Sequence, residues 1–419
     1  MMSRHRMLFV VMGLLFLLSF PTSLNAQESG VPPPVGLRPD APPYALHGPY
    51  WVGTQDFLIG ESSDDELQAH IWYPALNPDG LEEAIAYASV TKDASFPETL
   101  DATTYGHALL NAAVDMTNAP YPLVVFSHGF GTAAHTYAHL FEHYASYGFV
   151  VIAVEHHEMF NWEFTDLPKA SIDRPRDITR TLDYAETLTA DSSSMAGMID
   201  MEQVAVAGHS YGGYTALAVA GARFDLTAFN ARCAGVDPLV EWICTPLVPF
   251  EQEMATLAGY ETMPQGLWES FADARVDAII PMAGDSYLFD QAGLAEITIP
   301  VMAMGGTMDN GTPFDWGARP TYDYVSSAQK ILVAIEYADH LIFGPQCQNI
   351  PWINDEALST WYPFYCLNTV WDQDRALDLI RHLSTAFLLA ELKGDVDAAA
   401  ALAPDAASFP GIIYEAQGF

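Results

Sequence analysis

Residues 203–222 read QVAVAGHSYGGYTALAVAGA. An apolar run typical of a buried strand leads into a serine between glycines, and an alanine-rich segment of helical character follows. The turn from Gly208 to Gly212 has the form G-x-S-x-G. A sharp reversal from strand to helix strains the backbone of the serine, and the glycines let neighbouring backbone approach closely. We therefore predict a strand, a tight turn and a helix, with the hydroxyl of Ser210 exposed where the helix begins.

Other apolar runs of strand length alternate with segments of helical spacing along the chain. Strands are predicted at Leu123–Phe126, Phe149–Val154, Val204–Ala207, Ala278–Ala283, Pro300–Met304 and Ile331–Ile335, and helices at about 132–147, 176–190 and 372–392. Two earlier runs, 51–59 and 67–73, alternate polar and apolar residues around an acidic turn at 61–66, which favours an antiparallel pair at a sheet edge. The sequence thus predicts an α/β fold with a doubly wound, mainly parallel sheet and antiparallel N-terminal edge strands.

The first 26 residues have the pattern of an export leader. A basic start, Arg4 to Arg6, precedes an apolar stretch at 7–20, and small residues end the segment at Ala26. The apolar stretch is shorter than the roughly 20 residues that a membrane span needs. We expect cleavage after Ala26, a secreted or periplasmic protein, and no stable membrane insertion of the mature chain.

Three further parts are expected after this signal peptide, and the second contains an insertion. A proline-rich N-terminal arm covers 27–49, the catalytic domain covers 50–395, and a C-terminal tail covers 396–419. Within the domain, about fifty residues at 223–272 separate the predicted elbow helix from the next strand and are rich in Trp, Phe, Leu and Met. Because this is too long for a plain connection, we expect a cap or lid insertion over the site.

Charge and cysteine usage limit the possible partners. The formal net charge of −37 at pH 7 repels phosphate backbones, which excludes nucleic acid as a favoured partner. In an exported protein the four cysteines are expected to pair, and three connectivities are open. The local pairs Cys233–Cys244 and Cys347–Cys366 are favoured because each closes a short loop. The cysteine spacing does not fit a metal site, no cofactor is predicted, and the oligomeric state is not indicated.

A serine nucleophile needs a base, and the base needs an orienting acid. In a doubly wound sheet these groups come from loops at the carboxyl ends of the strands. Asp309 follows the strand ending at Met304, and His340 follows the strand ending near Ile335. The chain order Ser210, Asp309, His340 is the order of α/β-hydrolases.

Two other carboxylates compete for the role of orienting acid. Asp285 follows the preceding strand and reaches the same edge of the sheet, so it stays possible. Asp339 is adjacent to His340, a position more typical of a turn residue.

The tetrahedral intermediate of such a reaction needs two hydrogen-bond donors. The backbone N–H of Tyr211, directly after the serine, is one candidate. The second is the N–H of Phe130 in the SHGFG segment at 127–131, where glycines let the backbone turn inward. We predict that these two amides form the oxyanion hole.

Two histidine clusters have less certain roles. His135, His139 and His143 recur every four residues on a predicted helix, but three residues over two turns converge poorly on one metal ion. The cluster at 156–158, His-His-Glu, follows another strand end, so substrate contact and a structural hydrogen-bonding role are both open.

The SHGFG, GHSYGG, GGTMD and ADH segments, with WYPA at Trp72 and TAFLLAELKGD from Thr385, resemble the α/β-hydrolase superfamily. Within it, they are similar to the branch of platelet-activating-factor acetylhydrolases, bacterial polyester hydrolases and dienelactone-hydrolase-like proteins. True dienelactone hydrolases carry cysteine where Ser210 stands, so that activity is not implied. The resemblance implies a serine esterase acting on small or polymeric esters, possible substrates being a phospholipid acyl ester or a polyester. A peptidase or amidase on the same scaffold, or a catalytically silent binding module, is the alternative.

Overall fold

The structure is a computed structural model that describes residues 40–60, 66–88, 102–158, 164–190, 193–235, 241–354 and 362–419. The predicted signal peptide, most of the N-terminal arm and most of the acidic turn at 61–66 lie outside these ranges. Within these ranges, none of the helices has the length and apolar character that crossing a bilayer requires.

Twelve strands occur in the described ranges. They are β1 (Trp51–Ile59), β2 (Leu67–Ala75), β3 (Ile85–Tyr87), β4 (Thr104–Gly106), β5 (Leu109–Leu110), β6 (Tyr121–Ser127), β7 (Val150–Val154), β8 (Ile199–His209), β9 (Ala278–Met282), β10 (Val301–Gly306), β11 (Lys330–Ile335) and β12 (Ile412–Gln417). Ten of them form one sheet in the order β12-β11-β10-β9-β8-β6-β7-β2-β1-β5, and β3 pairs with β4 separately. Six neighbouring strands of the sheet run parallel, in the spatial order β7, β6, β8, β9, β10 and β11. Strand β2 is antiparallel to both β1 and β7. The predicted doubly wound sheet with antiparallel N-terminal strands is confirmed.

Helices cover both faces of this sheet. The α-helices of the described ranges are α1 (Ala138–Ser146), α2 (Leu167–Leu188), α3 (Tyr211–Val219), α4 (Leu226–Cys233), α5 (Glu241–Leu247), α6 (Glu251–Leu257), α7 (Gln291–Leu294), α8 (Ala318–Tyr324), α9 (Tyr362–Cys366), α10 (Gln373–Lys393) and α11 (Val396–Ala401). Short 3₁₀ turns lie at Ala134–Tyr137, Phe164–Asp166, Val248–Phe250, Phe314–Trp316, His340–Phe343, Cys347–Asn349 and Pro351–Asn354.

The central strands are buried on both faces, which explains their continuous apolar runs. In β6, Leu123 and Val125 belong to the hydrophobic core on one side of the sheet, and Val124 and Phe126 belong to the core on the other side. Successive side chains of a strand point to opposite faces, so both faces of β6 need an apolar cover.

Helix α2 begins nine residues before the predicted start at 176. The two prolines of its first half suggest a loop, but Pro168 lies in the first turn, where no N–H partner is needed. Pro175 lies inside the helix and cannot donate to the carbonyl of Ser171. The hydroxyl of Tyr214, on α3, donates to that carbonyl instead. A donor from another helix therefore compensates for the proline, and sequence periodicity does not reveal it.

The insertion at 223–272, called the cap below, forms α4, α5 and α6. It packs against α2, where the guanidinium of Arg176 donates to the carbonyl of Leu257 over 2.9 Å. The disulfide Cys233–Cys244 joins α4 to α5, and Cys347–Cys366 closes the segment that follows β11. Both predicted local pairings are confirmed.

The C-terminal residues 396–419, predicted to be a tail outside the catalytic domain, instead continue the fold. Helix α11 follows α10 directly, and β12 pairs antiparallel with β11 from Lys330 with Gln417 to Ile335 with Ile412. The last strand thus covers an edge of the sheet that would otherwise be open.

Candidate active site

Ser210 lies between β8 and α3 in a conformation that L-residues rarely adopt, with φ 57° and ψ −122°. Two glycines make this elbow possible. A Cβ on Gly212 would lie 1.9 Å from the carbonyl oxygen of Ser127, and one on Gly208 would lie 2.3 Å from that of Gly212. Close backbone packing on both sides therefore holds the serine in its strained position.

The structure brings Ser210, His340 and Asp309 into one hydrogen-bonded row. Nε2 of His340 lies 2.8 Å from Oγ of Ser210, and Nδ1 lies 2.9 Å from Oδ2 of Asp309. Asp309 is an acceptor, so Nδ1 carries the proton and Nε2 is left to accept from the serine hydroxyl. A general base in this tautomer can take a proton from Ser210.

The carboxylate of Asp309 is fixed from its other side. Its Oδ1 accepts from the backbone N–H of Gly311 over 2.8 Å and from that of Thr312 over 2.7 Å. Burial favours the neutral form of His340, but the charge and hydrogen bond of Asp309 outweigh it and raise the pKa of the imidazole. The acid thus both orients the ring and stabilises its protonated form.

The two competing acids have other partners. Asp285 is fully buried, and its Oδ1 accepts from the hydroxyl of Thr312. Burial raises the pKa of Asp285 to about 7. Asp339 accepts from the backbone N–H of Leu341 over 3.2 Å and so caps the turn that carries His340. Within the described residues, neither Asp285 nor Asp339 forms a hydrogen bond with the ring of His340.

The predicted oxyanion donors flank the serine. Tyr211 is the first residue of α3, so its N–H has no partner within the helix. Phe130 lines the same pocket as Ser210, and its ring lies 5.9 Å from that of Tyr211, edge to face. This arrangement is consistent with the two amides serving one oxyanion, and the assignment stays a prediction.

A pocket of about 310 Å³ opens over Ser210 and is called the nucleophile pocket here. Its walls include Phe130, His340, Leu341 and Tyr365. The described residues of the cap contribute nothing to these walls; the segment after β11 lines the pocket instead. The cap therefore lies beside the nucleophile rather than directly over it.

Two family models and one solved structure are similar to this chain. The chlorophyllase family model matches residues 92–243, and the prolyl oligopeptidase family model matches 185–321, so both include the elbow. A ferulic acid esterase from Streptomyces cinnamoneus has a similar fold, with a TM-score of 0.52 and 19% identity over 87% of this chain and 95% of that one. The chain has an α/β-hydrolase fold. The order of the strands, the strained serine and the acid and base at later strand ends all match that fold.

The sequence relatives match this chain over only part of their own length. A platelet-activating factor acetylhydrolase of Cavia porcellus is 25% identical over 41% of this chain and 50% of its own length. Two cutinases of Thermobifida alba are 28% and 30% identical, over 55% and 41% of this chain and 57% and 54% of theirs. The chain thus spans little more than half the length of the relatives that it matches.

Two further residues support the candidate site, and the sequence pattern does not indicate them. The ring of His209, beside the nucleophile, is buried; its Nε2 donates to the carbonyl of His340 over 2.9 Å, and its Nδ1 accepts from the hydroxyl of Tyr137 over 2.8 Å. Burial lowers the pKa of His209 well below its ordinary value, so it stays neutral. The G-x-S-x-G motif does not predict this role for its first variable residue, because both partners of His209 are distant in sequence.

Arg174 is the second of these residues. Its guanidinium donates to the carbonyl of His128 over 2.6 Å and to that of Gly129 over 3.3 Å, directly before Phe130. It also lies 5.4 Å from the ring centre of Tyr211. A fully buried Arg174 therefore contacts both segments that carry the predicted oxyanion donors.

A buried carboxylate balances the charge of Arg174. Glu158 forms an ion pair with Arg174, and both side chains have no exposure to solvent. Burial opposes ionisation of Glu158, but the arginine charge outweighs it and lowers the pKa to about 2. Glu158 is thus a structural ion-pair partner, which answers part of the question left open for residues 156–158.

His156 has a structural role as well. Its Nε2 lies 2.8 Å from Oγ of Ser127, and its Nδ1 lies 2.8 Å from Oδ2 of Asp177. This second row of serine, histidine and aspartate has the hydrogen-bond lengths of the first, but all three residues are buried. Because no substrate can reach Ser127, the row holds the end of β6 in place rather than offering a second nucleophile.

The regularly spaced histidines do not converge. His135 lies in a 3₁₀ turn before α1, whereas Nε2 of His143 bonds to the carbonyl of Tyr44 over 2.8 Å. His135 does lie near Asp56 and His70, with possible ligand atoms within 4.8 Å of one another. However, His70 already bonds to Asp56 over 2.7 Å and to a second carboxylate, Glu155, over 3.3 Å. Both ring nitrogens of His70 are thus already hydrogen-bonded to carboxylates.

Proposed function

We propose that this protein is an exported serine hydrolase that cleaves carboxylic esters through an acyl-enzyme. One observation carries the proposal: the hydroxyl of a strained Ser210 donates to Nε2 of His340, whose other nitrogen is held by Asp309. Serine is a weak nucleophile unless a positioned base removes its proton. This arrangement supplies the base and its orientation together.

The first half-reaction forms the acyl-enzyme. Oγ of Ser210 attacks the ester carbonyl while its proton moves to Nε2 of His340. The negative charge on the former carbonyl oxygen is stabilised by the backbone N–H groups of Phe130 and Tyr211. When the intermediate collapses, the proton on Nε2 passes to the departing alcohol, and the acyl group stays on Oγ.

The second half-reaction releases the acid. Water enters from the nucleophile pocket and gives a proton to Nε2 of His340 as its oxygen attacks the acyl carbon. The same two amides stabilise the second oxyanion. Collapse returns the proton to Oγ of Ser210, and the carboxylic acid leaves.

The names of the relatives support an ester as the substrate. They are an acetylhydrolase and two cutinases, and the solved structure is a ferulic acid esterase. The aromatic and aliphatic side chains of Phe130, Leu341 and Tyr365 in the nucleophile pocket favour an apolar ester. A phospholipid acyl ester and a polyester are the two substrate types proposed within this class.

A peptidase or amidase is the second candidate, because residues 185–321 match the prolyl oligopeptidase family. The same serine and histidine can cleave an amide. Matched pairs, such as the nitrophenyl ester and the nitroanilide of one acid, separate the two functions. We expect the ester to give the higher kcat/KM, and a higher value for the anilide would make the protein an amidase.

The nucleophile is tested with Ser210→Ala and with a fluorophosphonate probe that labels activated serines. We expect the variant to lose the label and to lose activity on nitrophenyl acetate by about 10⁶-fold in kcat. Ser127→Ala is the matched control, because Ser127 also bonds to a histidine that is held by an aspartate, His156 with Asp177, but is buried. Retained activity in Ser210→Ala would contradict the proposal, and a wild-type protein that neither reacts nor hydrolyses would be a silent binding module.

Export is tested on the mature chain. The predicted leader implies that protein recovered from the periplasm or the medium begins at Gln27, which N-terminal sequencing or intact mass measures. A secreted chain that still begins at Met1 would contradict cleavage.

A further inference from the structure

A groove of about 550 Å³ runs between the cap and the start of α2. Its apolar walls are Phe164, Trp242, Pro246 and Phe250, and it is called the cap groove below. We propose that the cap groove binds the acyl chain of the substrate, and that it selects long apolar or aromatic acyl groups. This inference rests on the proposed ester hydrolysis. It specifies that the protein recognises the acyl side of the ester rather than the alcohol side.

A row of aromatic rings in contact leads from the nucleophile pocket to the cap groove. The ring of Phe130 lines the nucleophile pocket and stacks on Phe164 with 5.4 Å between centres and 19° between planes. Phe164 in turn lies 5.3 Å from Trp242. An apolar chain leaving the oxyanion hole along Phe130 therefore meets one aromatic surface after another.

The exposure of these side chains indicates a ligand. Phe164 is 39% exposed and Phe250 is 43% exposed, on a protein of strongly negative charge. Removing apolar surface from water is favourable in proportion to the area covered. A hydrocarbon or aromatic chain would cover these faces, whereas a charged ligand would gain nothing from them.

The order of the strands decides which side of the ester enters the cap groove. The leaving alcohol must receive a proton from His340, which follows β11. Phe130 follows β6 and Phe164 follows β7, on the far side of Ser210 from β11. The alcohol therefore lies towards His340, and the acyl chain extends in the opposite direction, towards Phe164.

Contacts within the protein hold the wall of the cap groove in place. Trp242 lies two residues before Cys244, whose disulfide to Cys233 joins α5 to α4. The ring of Trp242 also meets that of Tyr287 at 6.1 Å, edge to face. A wall that is already fixed costs little ordering entropy when a chain binds.

The length of the aromatic path predicts a threshold in chain length. Two ring-to-ring steps of 5.4 and 5.3 Å separate Phe130 from Trp242. With C–C bonds of about 1.5 Å, an acetyl group on Ser210 is too short to reach Trp242, whereas a chain of roughly ten carbons spans the path.

The test uses the full-length mature protein and two substrate series. In the first, nitrophenyl acetate and nitrophenyl decanoate differ only in the acyl chain; in the second, methyl and naphthyl acetate differ only in the alcohol. We expect Trp242→Ala to lower the decanoate-to-acetate ratio of kcat/KM by about tenfold, the size of effect typical of a lost apolar contact. Phe164→Ala, at the other wall, should lower it in the same direction. Neither should alter the ratio of naphthyl to methyl acetate.

Tyr324→Ala is the matched control, because Tyr324 is also 39% exposed but lies on α8, away from the cap groove. Labelling by a small fluorophosphonate counts the folded active sites in each variant, so loss of folding is separated from loss of selectivity. An unchanged acyl ratio in both groove variants, or a change in the alcohol series instead, overturns the proposal. If the wild type hydrolyses no ester in either series, the proposed function itself is wrong.

Discussion

The carboxylate of Asp309 lies 2.9 Å from Nδ1 of His340, although 31 residues separate them in the chain. They meet because β10 and β11 are parallel neighbours, with Gly306 opposite Ile335, and each residue follows the carboxyl end of its strand. The loop after β10 also directs the N–H groups of Gly311 and Thr312 at the second oxygen of Asp309. Hydrogen bonds to both carboxylate oxygens thus hold Asp309 in position.

Asp309→Asn should abolish most activity. The amide would favour the wrong tautomer of His340, so we expect kcat to fall by about 10⁴-fold. Asp285→Asn is the matched control: Asp285 bonds to Thr312, and with a pKa of about 7 it tolerates a neutral replacement. Steady-state hydrolysis of nitrophenyl acetate measures both. A larger loss in Asp285→Asn would make Asp285 the orienting acid.

Activity should fall as the pH is lowered through the pKa of His340. Only the neutral imidazole can accept the proton of Ser210, and Asp309 raises the pKa of His340 above the ordinary value of about 6.5. The acid limb of kcat/KM should therefore have its midpoint above pH 6.5. In Asp309→Asn the midpoint of fluorophosphonate labelling should move to lower pH. A midpoint that rises in this variant would contradict the raised pKa.

Gly212→Ala should unfold the elbow. A Cβ at Gly212 would lie 1.9 Å from the backbone oxygen of Ser127, and neither backbone can move without displacing β6 or β8. We expect a loss of about 4 kcal/mol or more in the free energy of unfolding, or no folded protein. Gly235→Ala is the control, because its Cβ would meet nothing within 4 Å. Chemical denaturation measures both, and a stable Gly212→Ala would show that the elbow can rearrange.

Tyr214→Phe and Pro175→Ala should be coupled. Pro175 has no N–H to donate to the carbonyl of Ser171, and the hydroxyl of Tyr214 donates to it instead. Tyr214→Phe alone should therefore lower the free energy of unfolding by about 1–3 kcal/mol. In the Pro175→Ala background a backbone N–H is restored, and the same substitution should cost less. Thermal or urea unfolding of the four proteins gives the coupling energy. Additive effects would mean that the hydroxyl does not compensate for the proline.

Glu158→Gln should destabilise the fold and slow the chemical step. It leaves the charge of Arg174 buried without its counter-ion, which costs about 3–5 kcal/mol of unfolding free energy. Because Arg174 bonds to the carbonyls before Phe130, we also expect kcat to fall while KM changes little. Lys169→Met removes an exposed pair with Asp173 on the same helix and should cost at most about 1 kcal/mol. A rise in KM alone would place Arg174 in substrate binding instead.

The sequence predicted the parts of the fold that depend on local sterics and strand periodicity. The G-x-S-x-G turn permits few backbone conformations, and the apolar runs from Leu123 onward are long enough for strands but too short for buried helices. Parallel strands end at a common edge, so position along the chain already placed Asp309 and His340 near Ser210. The two disulfides were predictable because each closes a short loop.

The folded structure distinguishes residues that occupy equivalent positions in the sequence pattern. Asp285 and Asp309 both follow strands of the same edge, and the choice depends on loop geometry to within a hydrogen-bond length. The early start of α2, the roles of Arg174 and His209, and the strand formed by 412–417 all depend on partners that are far away in sequence. Local pattern fixes where the chain turns and which faces are apolar. Long-range hydrogen bonds and ring contacts decide which polar groups meet, and they exist only once the chain has folded.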